Sequence, residues 1–263
     1  MGFDISYHPI KEQEIQEWYF DAMSNQTQVE KLIFESGMQD FYADKYKNTL
    51  SIGKETPDTD TFDKTHGFYI AIVQGFFRKY FYTRGSAFSF LIEQFPIFKD
   101  YTKNWQEIIP GIKNPVNNKI AENYCSGVYI PADQVVKLLN GYTSDKDIMD
   151  ILTEFYSHQR LNIFLNALRF AEENEMGLLE ATEVVEPNPL DLNNSKSYSN
   201  LFNCDTEGAL LYQETAMEQI REIERQNNLP EGEISQNAEY TKTDVNEIEQ
   251  KEKKGFWKKL FGK

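Results

Sequence analysis

Few residues in this chain have the types and spacing for chemistry. Its three histidines are His8, His66 and His158. No pair of them has the spacing of HExxH or of another metal-ligand motif, so no metal site is expected. His158-Gln159-Arg160 falls near an expected helix end, where a protonated imidazole complements the helix dipole. The two cysteines, Cys125 and Cys204, stand outside any CxxC pattern and read as reduced thiols of a cytoplasmic protein. Cys204-Asp205 places a thiol beside a carboxylate with no histidine next to it. An enzyme built on them needs His158, Cys204 and Asp205 to meet in space, which sequence cannot show.

Two carboxylate pairs, Asp58/Asp60 and Asp145/Asp147, have the composition for acid–base work or for holding a divalent cation. Both lie at polar turns or helix caps, and 145–154 lacks the central glycine of a calcium loop. Tyr82-Thr83-Arg84-Gly85-Ser86 offers backbone amides ahead of a helix, an arrangement able to hold an anion, although its single glycine also marks a plain turn. No nucleophile elbow, phosphate-binding loop or dinucleotide fingerprint is present. No catalytic residue and no cofactor is therefore expected. An enzyme with an unrecognised site stays as an alternative.

Charge says more. The net charge is −15, with 42 acids against 27 Lys and Arg. Residues 1–171 hold 22 acids and 17 bases, 172–250 hold 19 and 4, and 251–263 hold 1 and 6. The segment charges of −5, −15 and +5 add to the total. An acidic body disfavours nucleic acid, whose non-specific binding needs Lys and Arg to displace counterions. It favours fast capture of a basic protein. The candidate contact surface is Glu175, Glu180, Glu183 and Glu186 around the apolar Leu178-Leu179, provided this stretch faces solvent.

The elements that must position these groups are mostly helical. Phe3–Tyr7 alternates like a half-buried strand and is expected to end at His8-Pro9. Helices are expected over 11–23, 27–35 (stopped by Gly37) and 39–50. The most apolar region, 62–98, reads as a central buried helix punctuated by Gly85, then a second helix ending before Pro96. Residues 99–122 are turn-rich, and 127–130 looks like a short strand. Pro131 opens a helix, Ser144-Asp145 caps the next, and 162–174 forms another, ended by Gly177. Residues 178–185 fit helix or strand, and 198–203 fits a short strand. Asp205 caps a long helix reaching about residue 226. The expected fold is thus mainly α, a helical domain over 1–228 with a small sheet of short strands.

A flexible acidic linker is expected over 229–250, followed by a basic amphipathic tail at 251–263. On a helix, Phe256, Trp257, Leu260 and Phe261 share one face, with Lys258 and Lys259 displaced toward the other. Such a segment suits anionic lipid or an acidic groove, though it is too short for tight membrane binding alone. No run reaches the ~20 apolar residues of a membrane span, and the N-terminus lacks a secretory signal pattern.

Three stretches carry a resemblance: Met-Gly-Phe-Asp-Ile-Ser-Tyr at 1–7, Ser-Gly-Val-Tyr-Ile-Pro-Ala-Asp-Gln-Val at 126–135, and Leu-Arg-Phe-Ala-Glu-Glu-Asn-Glu-Met-Gly-Leu-Leu-Glu-Ala-Thr at 168–182. They cover about an eighth of the chain. They resemble uncharacterised bacterial cytosolic families, some of which look like immunity proteins of interbacterial toxin systems. That resemblance implies a non-catalytic protein that binds and blocks a toxin-like basic partner, and it carries over no functional residue. The alternative is a peripheral membrane adaptor recruited by the tail.

Overall fold

The computed structural model describes residues 2–238. Two compact units divide the chain, Met1–Thr215 and Ala216–Lys263. The fold is mainly α with a small sheet, as the sequence leads one to expect.

The first unit begins with β1 (Asp4–Ile10) and a helical run made of α1 (Glu12–Ile15), a π-helical turn (Gln16–Asp21) and α2 (Ala22–Ser24). Next come α3 (Gln26–Ser36), α4 (Asp40–Glu55), α5 (His66–Phe77) and β2 (Tyr80–Arg84). The middle contains α6 (Phe88–Gln94), α7 (Trp105–Ile108), β3 (Ser126–Ile130), α8 (Ala132–Ser144), α9 (Lys146–Phe155) and α10 (Arg160–Glu173). Then follow β4 (Gly177–Thr182), the pair β5 (Val185–Glu186) and β6 (Lys196–Ser197), β7 (Cys204–Asp205) and the start of α11 (Thr206–Gln226). Local signals set many of these ends. Gly37 takes the left-handed conformation (φ 63°) that stops α3, and the Asp145 carboxylate accepts from the Asp147 amide at 2.9 Å to start α9.

The main sheet has the order β3-β4-β1-β2-β7, antiparallel except for β2 with β7. Because side chains alternate across a strand, β1 and β4 supply both cores. Ile5, Tyr7, Phe81, Val128, Ile130 and Leu178 pack under α6, α8 and α10. Ile10, Tyr129, Leu179 and Ala181 pack against α5 and the first helical run on the other face. The sheet is thus covered on both sides, and every residue of β1 is buried.

Several expectations need correction. β1 is not half-solvated, and it continues through Pro9 to Ile10. Pairing to β2 stops at Tyr7↔Phe81, so the missing proline amide deprives no ladder there, and Gln74 Nε2 donates to the Pro9 carbonyl at 3.1 Å. The expected central helix stops at Phe77, and the aromatic, β-branched run Tyr80–Thr83 is strand β2. Residues 178–182 resolve as strand β4, between β3 and β1, and a bend at Glu183-Val184 leads to β5. The left-handed residue that ends α10 is Glu175 (φ 54°), while Gly177 opens β4. Residues 198–203 hold a 3-10 turn (Leu201–Asn203) ahead of β7.

In the second unit, the Glu224 carboxylate of α11 accepts from the amides of Gly232 and Ile234 at 2.9 and 2.8 Å. These bonds hold a turn and the short helix α12 (Glu233–Asn237) where the sequence reads as the start of a linker. The rest of the expected linker, 239–250, and the tail at 251–263 lie outside the described residues.

Candidate functional site

The proposed acidic surface is not assembled from the residues expected to form it. Glu175 is exposed, but Glu180, Glu183 and Glu186 are buried, because 177–186 is buried strand β4, bend and strand β5 rather than a helix end. Glu180 accepts from the Ser89 hydroxyl at 2.7 Å and the Ser89 amide at 3.0 Å, at the start of α6. Burial lifts its carboxyl to about 7 against these bonds. A Cβ on Gly127 would overlap this carboxylate, so glycine is required there. The Glu183 carboxylate receives the Asp4 amide at 3.4 Å, and Glu186 accepts from the Tyr124 hydroxyl at 3.1 Å. The tail candidates Phe256, Trp257, Lys258, Lys259, Leu260 and Phe261 lie outside the described residues.

His158, Cys204 and Asp205 do not come together. Cys204 and Asp205 pair with Tyr80 and Phe81 at the start of β2. Arg160, two residues from His158, donates to the Arg84 carbonyl at the other end of that strand. Burial pushes the Cys204 thiol up to about 12, which removes its nucleophilic thiolate at neutral pH, and Asp205 is paired with Lys79 at 2.7 Å. Asp145 is a helix cap, and Asp58 pairs with Lys113 at 3.3 Å.

Sequence reasoning passed over a different arrangement. A cleft of about 370 Å³ is lined by Phe20, Met23, Phe62, Ile109 and Ile112, with Lys54, Asp58, His66, Lys113 and Asn114 supplying polar groups. His66 lines it, and behind the ring the buried Tyr19 hydroxyl lies 2.8 Å from His66 Nδ1. The π-helical turn places Phe20 in the cleft wall and Tyr19 behind it. Side chains take up its displaced carbonyls: Gln28 Nε2 donates to Glu17 O, and Tyr46 Oη to Trp18 O, both at 2.6 Å. Across the cleft, Asn114 Nδ2 donates to the Pro57 and Asp60 carbonyls at 3.1 and 2.9 Å, which ties the two wall loops together. A Cβ on Gly53 would overlap the Tyr19 hydroxyl, so that glycine makes the room it occupies. Burial lowers the His66 pKa, with Asp58 opposing, and burial raises Tyr19 well above its ordinary value. At neutral pH the pair is therefore an uncharged imidazole and a protonated phenol. Tyr19 and His66 are 47 residues apart, so spacing could not have joined them.

A second feature lies at the surface. Phe41 is 66% and Phe202 86% exposed, and Tyr198 is exposed as well. Lys45 links Phe41 to the segment that carries Tyr198: its ammonium lies 5.5 Å from the Phe41 ring centroid and donates to the Ser197 carbonyl at 2.8 Å. Asn203, next to Phe202, donates to the Gly75 and Phe76 carbonyls at the end of α5, and Tyr42, next to Phe41, packs 6.4 Å from the Phe76 ring. The exposed acids Asp40 and Asp44 flank Phe41 on α4. Large exposed aromatics rimmed by polar groups mark interaction surfaces.

Among the described residues no group of three or more His, Cys, Asp or Glu side chains is placed to hold a metal, and no helix is long and apolar enough to cross a membrane. Compared with protein-family models, curated proteins and solved structures, the chain matches none.

Proposed function

We propose that this chain is a non-catalytic protein-binding module that inhibits a basic partner in the manner of an immunity or antitoxin protein. The observation that carries the reading is the exposed aromatic face of Phe41, Tyr198 and Phe202 beside Asp40 and Asp44, on a chain of net charge −15. Aromatic anchors supply the short-range affinity of an interface, and a surrounding negative field raises the rate of encounter with a cation-rich surface. The contact surface differs from the one expected at Glu180, Glu183 and Glu186, whose carboxylates serve the core.

The test is capture of the tagged full chain from its native lysate at low and moderate salt, repeated with the double variant Phe41→Ala/Phe202→Ala. One stoichiometric basic protein, released as salt rises and at least about tenfold weaker on the double variant, is the expected result. A partner held equally by both proteins would remove this face from the interface.

A second reading, recruitment to anionic membranes by 251–263, is favoured by the lysine and aromatic content of that segment. Flotation of the full chain with phosphatidylserine vesicles separates the two readings, because the aromatic face has no reason to follow lipid charge.

A further inference from the structure

We propose that the cleft beside Tyr19 and His66 binds a small carboxylate with an apolar tail, independently of the partner-binding face. The hydrogen-bond inventory of the pair sets the chemistry. The buried Tyr19 hydroxyl has one hydrogen-bond partner among the described residues, His66 Nδ1, and a buried phenol needs an acceptor for its proton. Tyr19 therefore donates to Nδ1, which fixes the neutral imidazole with its proton on Nε2. That nitrogen makes no hydrogen bond among the described residues, and the ring lines the cleft. The cleft thus presents an N–H donor to any occupant and asks for an acceptor.

Charge narrows the acceptor to an anion. Lys54 lines the same cleft without a carboxylate partner among the described residues, whereas the rim acid Asp58 is paired with Lys113. Phe20, Met23, Phe62, Ile109 and Ile112 form apolar walls that a bare inorganic anion would leave unused. The volume lies at the lower end of the ~300–1,000 Å³ range of ligand sites, enough for a short aliphatic or aryl acid. The bonds from Asn114 and the space left by Gly53 hold the walls and Tyr19 in place without an occupant, so little ordering is required on binding.

The experiment uses the full chain, isotopically labelled, titrated with hexanoate and with hexanol as its neutral match. It follows the His66 ring nitrogens and the Met23 methyl group by nuclear magnetic resonance. Expected are an Nε2-protonated His66 in the free protein, a saturable shift of both groups with hexanoate, and binding of hexanol at least about tenfold weaker. Tyr19→Phe keeps the ring but frees the tautomer, so hexanoate affinity falls about three- to tenfold while the Met23 methyl still reports binding. Lys54→Met, at the exposed rim, weakens hexanoate and leaves hexanol unchanged. An Nδ1-protonated His66, absence of saturation, or equal binding of hexanoate and hexanol would each overturn the proposal.

Discussion

β1 and β4 carry a buried polar cluster on each side of the sheet, and the two are built on opposite principles. On the α5 side, His8 Nδ1 lies 2.7 Å from Gln74 Oε1 and Nε2 lies 2.8 Å from Ser6 Oγ, with the ring stacked 5.0 Å from Tyr80. Gln74 Nε2 donates in turn to the Pro9 and Lys79 carbonyls, both at 3.1 Å. Every member is neutral, and burial lowers His8 to about 4. On the α10 side, Glu180 has bonds that suit a carboxylate but a burial that opposes charge, and it titrates at about 7. One cluster keeps a base uncharged; the other holds an acid near its midpoint at neutral pH. The difference shows that interior polar groups of a single sheet need not share a pH optimum.

The neutral cluster depends most on Gln74. Gln74→Leu leaves the His8 ring nitrogen and the Pro9 and Lys79 carbonyls without their partner in a dry interior. A loss of about 3–5 kcal/mol is expected in denaturant unfolding, since each orphaned group costs ~1–3 kcal/mol without full additivity.

Acid comes next. Between pH 6.5 and about 4 the unfolded chain takes up a proton that folded His8 refuses, so this group's contribution falls on acidification, by about 3 kcal/mol over the window. Glu180 acts in the other direction. Its folded pKa is raised, so from pH 4.5 to about 7 the folded state keeps a proton that the unfolded chain gives up, and stability falls as pH rises. In the shared range, 4.5 to 6.5, the two slopes oppose. Glu180→Gln should therefore expose the His8 slope as stability that climbs with pH across that range. If the wild type and the Gln variant show parallel pH profiles in urea unfolding, Glu180 does not titrate as its burial requires.

The smallest effect is the sharpest contrast with both clusters. Phe41→Ala removes a large but exposed ring, and unfolding free energy should change by less than about 0.5 kcal/mol even where partner capture is lost. A cost of several kcal/mol would mean that the aromatic face is structural.

The helices were legible wherever a cap or a stripe spoke locally, as at Gly37, Pro131 and Asp145. The sheet was legible at β1 and β3 but not at β2, where helical spacing from α5 ran on into Tyr80 and concealed an aromatic strand. Burial was the least legible property. Asp4, Ser6, His8 and Glu180 look like the wet side of amphipathic elements, and alternation alone cannot separate a solvated polar face from a hydrogen-bonded one. The separation depends on Gln74, Ser89 and Tyr82, which reach these residues from 66 to 91 positions away. The cleft stayed hidden for the same reason, since Tyr19, Gly53, His66 and Asn114 become neighbours only through the packing of four segments.

The central place of β1 also bears on how the chain is made. β1 leaves the ribosome well before β4, since Ser6 meets Ala181 across 175 residues. At roughly 5–20 residues per second, about 9 to 35 seconds separate the emergence of the two. β2 can cover one edge of β1 early, but the edge that meets β4 lacks its partner throughout that wait, the kind of surface that recruits stray strands. Asp4, Ser6, His8 and Pro9 interrupt its apolar side chains and its amide row during that interval. The same side chains that later lock the interior thus act first as gatekeepers against aggregation, and replacing them by apolar residues of equal volume would endanger the nascent chain before it touched the finished fold.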